Sequence, residues 1–534
     1  MKKFTKAVVS AVLAVILCGC SAIPDLESID SGASEPSGNE SSSSSVIYDE
    51  SEPDQFDINK QEFVIKLNAE GGVFDKAETL SDGDFDGKGY VRFKQGGKLT
   101  HIVNTNTAQH YRFVLAVRSE TGASISISLK DKTEGMFYVP PSEKDSDGNA
   151  SQKFVYAAVD CVYLVEGKNV FSLNIDKGTA DIDYIIVESS ENVDRSYYRT
   201  GTSAVNPYAS LGVVGAMKYF SDIYGEYSLT AVNVSVGTNA EIDAVYSITG
   251  RYPAIRGSEL AYAVLENEDN EETLANDIEL AKEWSKNGGI VSYKWHWYSP
   301  NRLRSVKTGA FDLTEAFRTV NLEEIALMTN EDISLLNKNG YVPSELYSLI
   351  TDIDKLSESL SRLKDKDVVT VFEPIPNADS GLYWWGDDPA NYKKLYALIF
   401  NRLCKFHRLS NLIFVYNGGN IDYYPGAEYC DIVGQSFFEN SGSAFAGRFY
   451  AMAKSLPTRK MLAVTACDVM TSADFMSRDN AIWLFSAIES GQYLIDENGA
   501  FSSEFNTAAS LRKGYNSTLM LTRDELPDIN KYVL

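Results

Sequence analysis

The residues best able to do chemistry in this chain stand at the ends of four short apolar segments. Residues 289–297 finish on Lys294-Trp295-His296-Trp297, and residues 368–386 (VVTVFEPIPNADSGLYWWG) carry Asp379, Trp384 and Trp385. Residues 431–439 end on Phe438 and Glu439, and residues 460–468 (KMLAVTACD) end on Asp468. Pyranose rings lay their C–H faces on aromatic rings, which offer a large contact area with defined geometry. A pair of carboxyl groups flanking a glycosidic bond can cut it, with the two groups about 5–5.5 Å apart when configuration is retained. The available chemistry is therefore the holding of sugar and, given a suitable acid pair, its hydrolysis. The bland alternatives are that the tryptophans pack the interior and that His296 is a satisfied core histidine.

The order of these segments resembles glycoside hydrolase family 26, the β-mannanase family. Thr249 to Ile255 (TGRYPAI) resembles its second-strand motif, and Val291 to Trp297 (VSYKWHW) its third-strand Trp-His-Trp. Tyr392 to Leu395, Asn411 to Tyr416, Tyr515 to Ser517 and Asp524 to Pro527 follow in the family's order. The resemblance implies substrate contact by His296, Trp297, Trp384, Trp385 and Phe438, the last where the family has a tyrosine. It also exposes departures. On the fourth strand Glu373 stands in place of arginine, Pro376 of histidine and Asn377 of the acid/base glutamate. On the seventh, Ala466 stands in place of the nucleophile. The seven-residue spacing from Asn377 to Trp384 is kept, so the register has not slipped. Asn377 cannot donate an acidic proton and Ala466 cannot attack. Asp379 and Asp468 lie two residues beyond these positions, on the same face of an extended chain and displaced outward by roughly 6–7 Å. With Glu439 they are the fallback acids. Their competing reading is as loop or helix-cap residues.

The elements that must position these residues alternate. Residues 228–236, 252–260, 289–297, 368–377, 411–418, 431–439, 460–468 and 481–485 read as strands, with amphipathic helices such as 274–286, 391–406 and 444–456 between them. Eight strand–helix units predict a (β/α)8 TIM barrel over residues 200–534, with function at the carboxyl ends of its strands.

Residues 62–190 alternate apolar and polar positions in short runs, 63–67, 90–93, 111–117, 124–129, 159–165, 169–175 and 182–187, divided by Gly, Asp and Asn. That pattern predicts a jelly-roll-like β-sandwich. Its motifs, Ala69-Glu70, Gly89-Tyr90-Val91, residues 111–115, 164–169 and 182–185, resemble carbohydrate-binding modules of families 6 and 35. The resemblance implies a structural calcium at Glu70 and Asp183; both also suit ordinary surface carboxylates. Asp82 to Gly87 (DGDFDG) opens like a calcium loop, but Phe93 at its twelfth position excludes an EF-hand. Tyr138 and Tyr156, placed in or near loops, are either stacking platforms or core.

Residues 1–19 read as a lipoprotein signal peptide. Lys2, Lys3 and Lys6 precede a short apolar run, and Leu17-Cys18-Gly19-Cys20 resembles a lipobox with lipid on Cys20. Residues 20–61, rich in Ser, Glu, Asp, Gly and Pro, read as an acidic disordered tether. This places the protein on the extracytoplasmic face of a cell membrane. The net charge of −25 becomes about −28 once the signal lysines are removed. Such a chain does not suit nucleic acid. No phosphate loop or dinucleotide fingerprint calls for a nucleotide or a cofactor for chemistry. Cys161, Cys404, Cys430 and Cys467 form no disulfide framework and read as buried thiols.

Three functions fit. The first is a non-catalytic holder of β-linked, mannan-type polysaccharide. The second is an active hydrolase with rearranged carboxylates, and the third is an architectural barrel that docks protein partners.

Overall fold

The computed structural model describes residues 61–532 except 131, 145–147, 149, 191–194 and 319. The signal peptide, Cys20 and all but the last residue of the tether lie outside the described residues.

The amino-terminal unit is all antiparallel. Its strands are β1 (Val64–Asn68), β2 (Val73–Leu80), β3 (Tyr90–Thr105), β4 (Gln109–Arg118), β5 (Ala123–Leu129), β6 (Lys132–Val139), β7 (Val155–Leu164), β8 (Gly167–Gly178) and β9 (Ala180–Ser189). They follow the order β6-β5-β8-β3-β9-β4-β7, with β1 on β9 and β2 on β3. The long strand β3 pairs with β9 through Val91–Phe93 and with β8 through Lys98–Thr105, so it changes neighbours along its length. Alternate residues such as Tyr111, Phe113, Leu115, Phe171 and Leu173 close a core belonging to this unit alone. The sequence reading missed β2 and β6, whose mixed polar composition hides their alternation. Tyr138 and Tyr156 consequently lie on strands β6 and β7, not in loops.

The second unit is a closed parallel barrel. Its strands are β10 (Ser228–Asn233), β11 (Ile255–Glu259), β12 (Ile290–Trp295), β13 (Thr370–Pro374), β14 (Leu412–Asn417), β15 (Ile432–Phe437), β16 (Met461–Cys467) and β17 (Phe485–Ile488). They pair in order and β10–β11 closes the ring, while a short β18 (Met520–Leu521) adds to β10. β10, β14 and β16 are buried at every residue, as apolar strands covered on both faces must be. The eighth strand begins at Phe485, where the sequence reading ended it. Residues 481–484 are apolar because they are buried, yet the ladder is engaged only from Leu484 onward. Between β15 and β16 the register shifts at Gln435/Ser436, leaving Thr465 as the extra residue opposite them. Such a bulge re-aims side chains at the end of a strand.

Side-chain caps fix where helices start. Asn267 accepts from Asp269 and Asn270 N–H ahead of Glu268–Lys286, and Asp388 accepts from Asn391 N–H with Pro389 following it. The helix read as 391–406 is α-helical over Pro389–Phe400 and continues as a π turn over Asn401–Phe406.

The two units touch along β6, β4 and the barrel's last third. Ser441 Oγ donates to Thr133 O at 2.8 Å, His110 Nε2 meets Asp479 Oδ1 at 3.0 Å, and Arg478 reaches Glu134 at 3.3 Å. Arg448 Nη2 donates to the Tyr138 hydroxyl at 2.6 Å.

Candidate functional site

The carboxyl ends of the barrel strands bring together charges that are far apart in the chain. Glu259 ends β11, and one of its carboxylate oxygens meets His296 Nδ1 at 2.5 Å while the other accepts the His296 N–H at 2.9 Å. Lys294, on β12, donates to Glu489 Oε2 at 2.7 Å; Asn233, ending β10, donates to the same oxygen at 3.0 Å. Glu489 stands immediately after β17. Glu373, on β13, accepts from Asn417 Nδ2 at 2.6 Å, and the same amide reaches Thr465 Oγ1 at 2.8 Å. The bulge at Thr465 is what turns its hydroxyl toward this group.

Burial alone would neutralise these groups, and the partner decides where it does not. At Glu489 burial pushes the carboxyl up, but the Lys294 ammonium more than offsets it and holds the pKa at about 2. At Lys294 burial is likewise outweighed by Glu489 and Glu373, and the pKa rises. At His296 burial opposes the charge, yet Glu259 raises the pKa above its ordinary value. Glu373 has no such excess of partners. Its burial outweighs Lys294 and Asn417 and pushes the carboxyl toward its neutral form.

Asn377 and Ala466 sit at the tips of β13 and β16. Asn377 has φ +53° and Ile375 φ +46°, so the chain turns through the left-handed region on both sides of Pro376. Asparagine tolerates that conformation far better than a β-branched residue does. Ala466 is buried, beside Thr465.

Of the fallback acids, Asp379 is exposed and accepts the Gly419 N–H at 3.0 Å. Asp468 is buried and accepts Asn440 and Val469 N–H, each at 2.7 Å. Glu439 is ion-paired with Arg448. Asp379 and Asp468 therefore each tie down a loop beyond a strand tip.

Trp297, Trp384 and Trp385 were expected to stack on substrate, but they have no exposed surface. A ring without an exposed face cannot receive a sugar. Their indole N–H groups donate to Asp352, Trp297 O and Pro376 O respectively, which fixes them as the wall of the mouth. The half-buried Tyr383 lies in front of that wall. It is stacked on Trp385 at 4.5 Å between centroids and lies 5.3 Å from the His296 ring. Phe438 is 48% exposed, with its ring 5.6 Å from Tyr493.

In the amino-terminal unit, Glu70 accepts the Lys88 N–H and Asp183 accepts the Asp86 N–H with both oxygens, so both latch the 82–88 loop. Burial, with Glu70 and Asp84 nearby, pushes Asp183 up to about 6. Calcium wants six to eight oxygen ligands. No group of three or more His, Cys, Asp or Glu that could hold a metal occurs among the described residues. Cys404, Cys430 and Cys467 are buried free thiols; Cys161 is free but only partly buried.

Sequence reasoning passed over Glu259, Glu489, Asn233 and Tyr383, and gave Lys294 no role beyond its place in the strand motif. A signal for Glu259, Lys294, Glu489 and Asn233 was present, since each ends, nearly ends or directly follows a barrel strand. Glu489 was hidden because the last strand was placed four residues too early.

Residues 205–525 match the Glycosyl hydrolase family 26 profile. Among curated proteins, the Mannan endo-1,4-beta-mannosidase of Thermothelomyces thermophilus is 26% identical over 462 residues, covering 84% of this chain and 87% of that protein. Mannan endo-1,4-beta-mannosidase A of Piromyces sp. is 24% identical, covering 84% and 70%. Among solved structures, a ruminal GH26 endo-beta-1,4-mannanase superposes with a TM-score of 0.57 at 21% identity, covering 88% of this chain and 99% of that one. The Podospora anserina GH26-CBM35 beta-(1,4)-mannanase superposes with a TM-score of 0.54 at 21% identity and the same coverage.

Proposed function

This chain belongs to glycosyl hydrolase family 26, and from that premise we propose that it is a glycan-holding member of the family. It binds β-linked, mannan-type polysaccharide and does not cleave it by the family's route. The observation that carries this reading is the pair Asn377 and Ala466 at the tips of β13 and β16, with Asp379 and Asp468 beyond them accepting loop N–H groups. The relatives named as mannan endo-1,4-beta-mannosidases supply the substrate class. Tyr383, backed by Trp385, offers the sugar a ring, and His296 and Glu259 offer its hydroxyls a donor and an acceptor. The amino-terminal unit, read as a carbohydrate-binding sandwich, and the lipid anchor at Cys20 belong to the same proposal. They would display the barrel on the outer face of the membrane.

One observation favours a second reading, in which the barrel still hydrolyses sugar. The mouth keeps an ionised Glu489 and a His296 of raised pKa, the two protonation states an acid–base mechanism requires.

Both readings are tested together by incubating the chain from residue 61 onward with mannan, glucomannan, xylan and mixed-linkage glucan. Binding is followed by calorimetry and products by chromatography in the same samples. Binding without released oligosaccharide is expected, and Tyr383→Ala abolishes it. Released oligosaccharide that disappears in Glu489→Gln establishes the second reading instead.

A further inference from the structure

The β6 strand of the amino-terminal unit is held against the barrel rim by contacts from both of its ends. Lys132 Nζ lies over the Phe475 ring at 5.4 Å, and Thr133 O accepts from Ser441 Oγ at 2.8 Å. Arg478 joins Glu134 at 3.3 Å and is also ion-paired with the buried Asp479, which holds His110 of β4. At the far end of β6, the Tyr138 hydroxyl accepts from Arg448. Arg448 is ion-paired with Glu439, the residue after Phe438, and lies over Phe437 at 5.1 Å and Phe445 at 5.6 Å.

Tyr138 is thus fixed at its hydroxyl end while the residue as a whole stays 52% exposed. An aromatic side chain immobilised in advance loses little entropy when a ligand covers it. The position is continuous with the barrel mouth. Arg448 makes the link: it bonds the Tyr138 hydroxyl and is ion-paired with Glu439, the residue after Phe438. On the barrel side the nearest exposed large ring is Phe438, braced by Tyr493, which is braced in turn by Phe505 at 4.9 Å. Exposed aromatic surface of this kind next to a polar groove marks a binding surface. Arginine and carboxylate between the rings suit a ligand that is apolar on its faces and hydroxylated at its edges.

We infer that Tyr138 of the amino-terminal unit and Phe438 of the barrel form one distal sugar subsite, so that a β-1,4-linked hexosan chain lies across both units. This rests on the glycan-holding reading above and adds its reach: short oligosaccharides occupy the mouth at Tyr383, and longer ones extend to the Tyr138–Phe438 rim. Tyr156, the other exposed tyrosine of this unit, bonds the Tyr184 hydroxyl at 2.9 Å on the stretch of β7 that pairs with Ala116. It takes no part in the rim.

The experiment is calorimetric titration of the whole chain downstream of Cys20 with β-1,4-mannotriose and β-1,4-mannohexaose. Tyr138→Ala and Phe438→Ala are each expected to weaken hexaose by about tenfold and to leave triose within about twofold, since each removes one stacking face. Tyr138→Phe, which keeps the ring but loses its tie to Arg448, weakens hexaose by less than Tyr138→Ala does; Tyr156→Ala leaves both affinities unchanged, and Tyr383→Ala abolishes both. Because the two test residues lie on different units, loss of folding in one variant leaves the other decisive. Hexaose affinity unchanged in Tyr138→Ala or Phe438→Ala, with Tyr383→Ala still abolishing binding, overturns the shared subsite and spares the glycan-holding reading. No binding of either sugar by the unaltered chain overturns both.

Discussion

The two sides of the barrel mouth have taken opposite electrostatic courses. On the side built by β11, β12 and β17, every charge has a partner. Glu259 holds His296, and Lys294 holds Glu489, whose pKa stays near 2 despite its burial. On the side built by β13 and β16, Asn377 and Ala466 carry no charge, and Glu373 is driven toward its neutral form. The difference is one of pairing: Lys294 holds Glu489 well below the usual carboxylate range, whereas burial outweighs the partners of Glu373 and pushes it up.

The largest expected effect comes from removing the cation. Lys294→Met leaves Glu489 buried without its partner and should cost about 3–5 kcal/mol of barrel stability. All six tryptophans lie in the barrel, so denaturant unfolding followed by tryptophan fluorescence reads it separately from the amino-terminal unit. A loss below about 1 kcal/mol would break the comparison, because the charged side would then not depend on its pairing.

Acid should act on the same pair. Glu489 is depressed from 4.5 to about 2, so its contribution is present above about pH 4.5 and is lost as the pH falls through about 2. That shift corresponds to about 3 kcal/mol. Glu373 runs the other way: its raised pKa favours the fold at low pH and fades as the pH rises. Unfolding of Glu489→Gln measured from pH 7 to pH 2 should converge on the unaltered chain in acid. A constant difference between the two would show that the ion pair is not its source.

Glu373→Gln should sharpen the contrast. An amide of the same shape keeps an oxygen for the Asn417 N–H and removes a carboxyl whose burial outweighs its partners, so stability at pH 7 changes by less than about 1 kcal/mol. A loss as large as that of Lys294→Met would mean that Glu373 is an ionised partner of Lys294.

The smallest effect belongs to Asn377. In its left-handed conformation, Asn377→Ala should cost about 1 kcal/mol and Asn377→Gly less than half of that. Equal effects of both would show that its side chain, not its backbone, is what matters there.

The strand-and-helix alternation of the barrel and the family were legible in the sequence, because apolar periodicity and motif order are local and repeat along the chain. Burial and partnership were not legible. Trp384 and Trp385 looked like platforms and are wall, whereas Tyr383 beside them faces the groove, since one residue of phase decides which side of a turn a ring occupies. Asp379 and Asp468 looked like a displaced acid pair and instead accept backbone N–H groups, because strand alternation ends where the loop begins. The pairing of Lys294 with Glu489 joins residues 195 apart in sequence, and that of Tyr138 with Arg448 joins 310. Local pattern fixes which elements form. Only closure of the barrel and docking of the second unit decide which charges and rings meet, because those contacts depend on distances in space that sequence spacing does not encode.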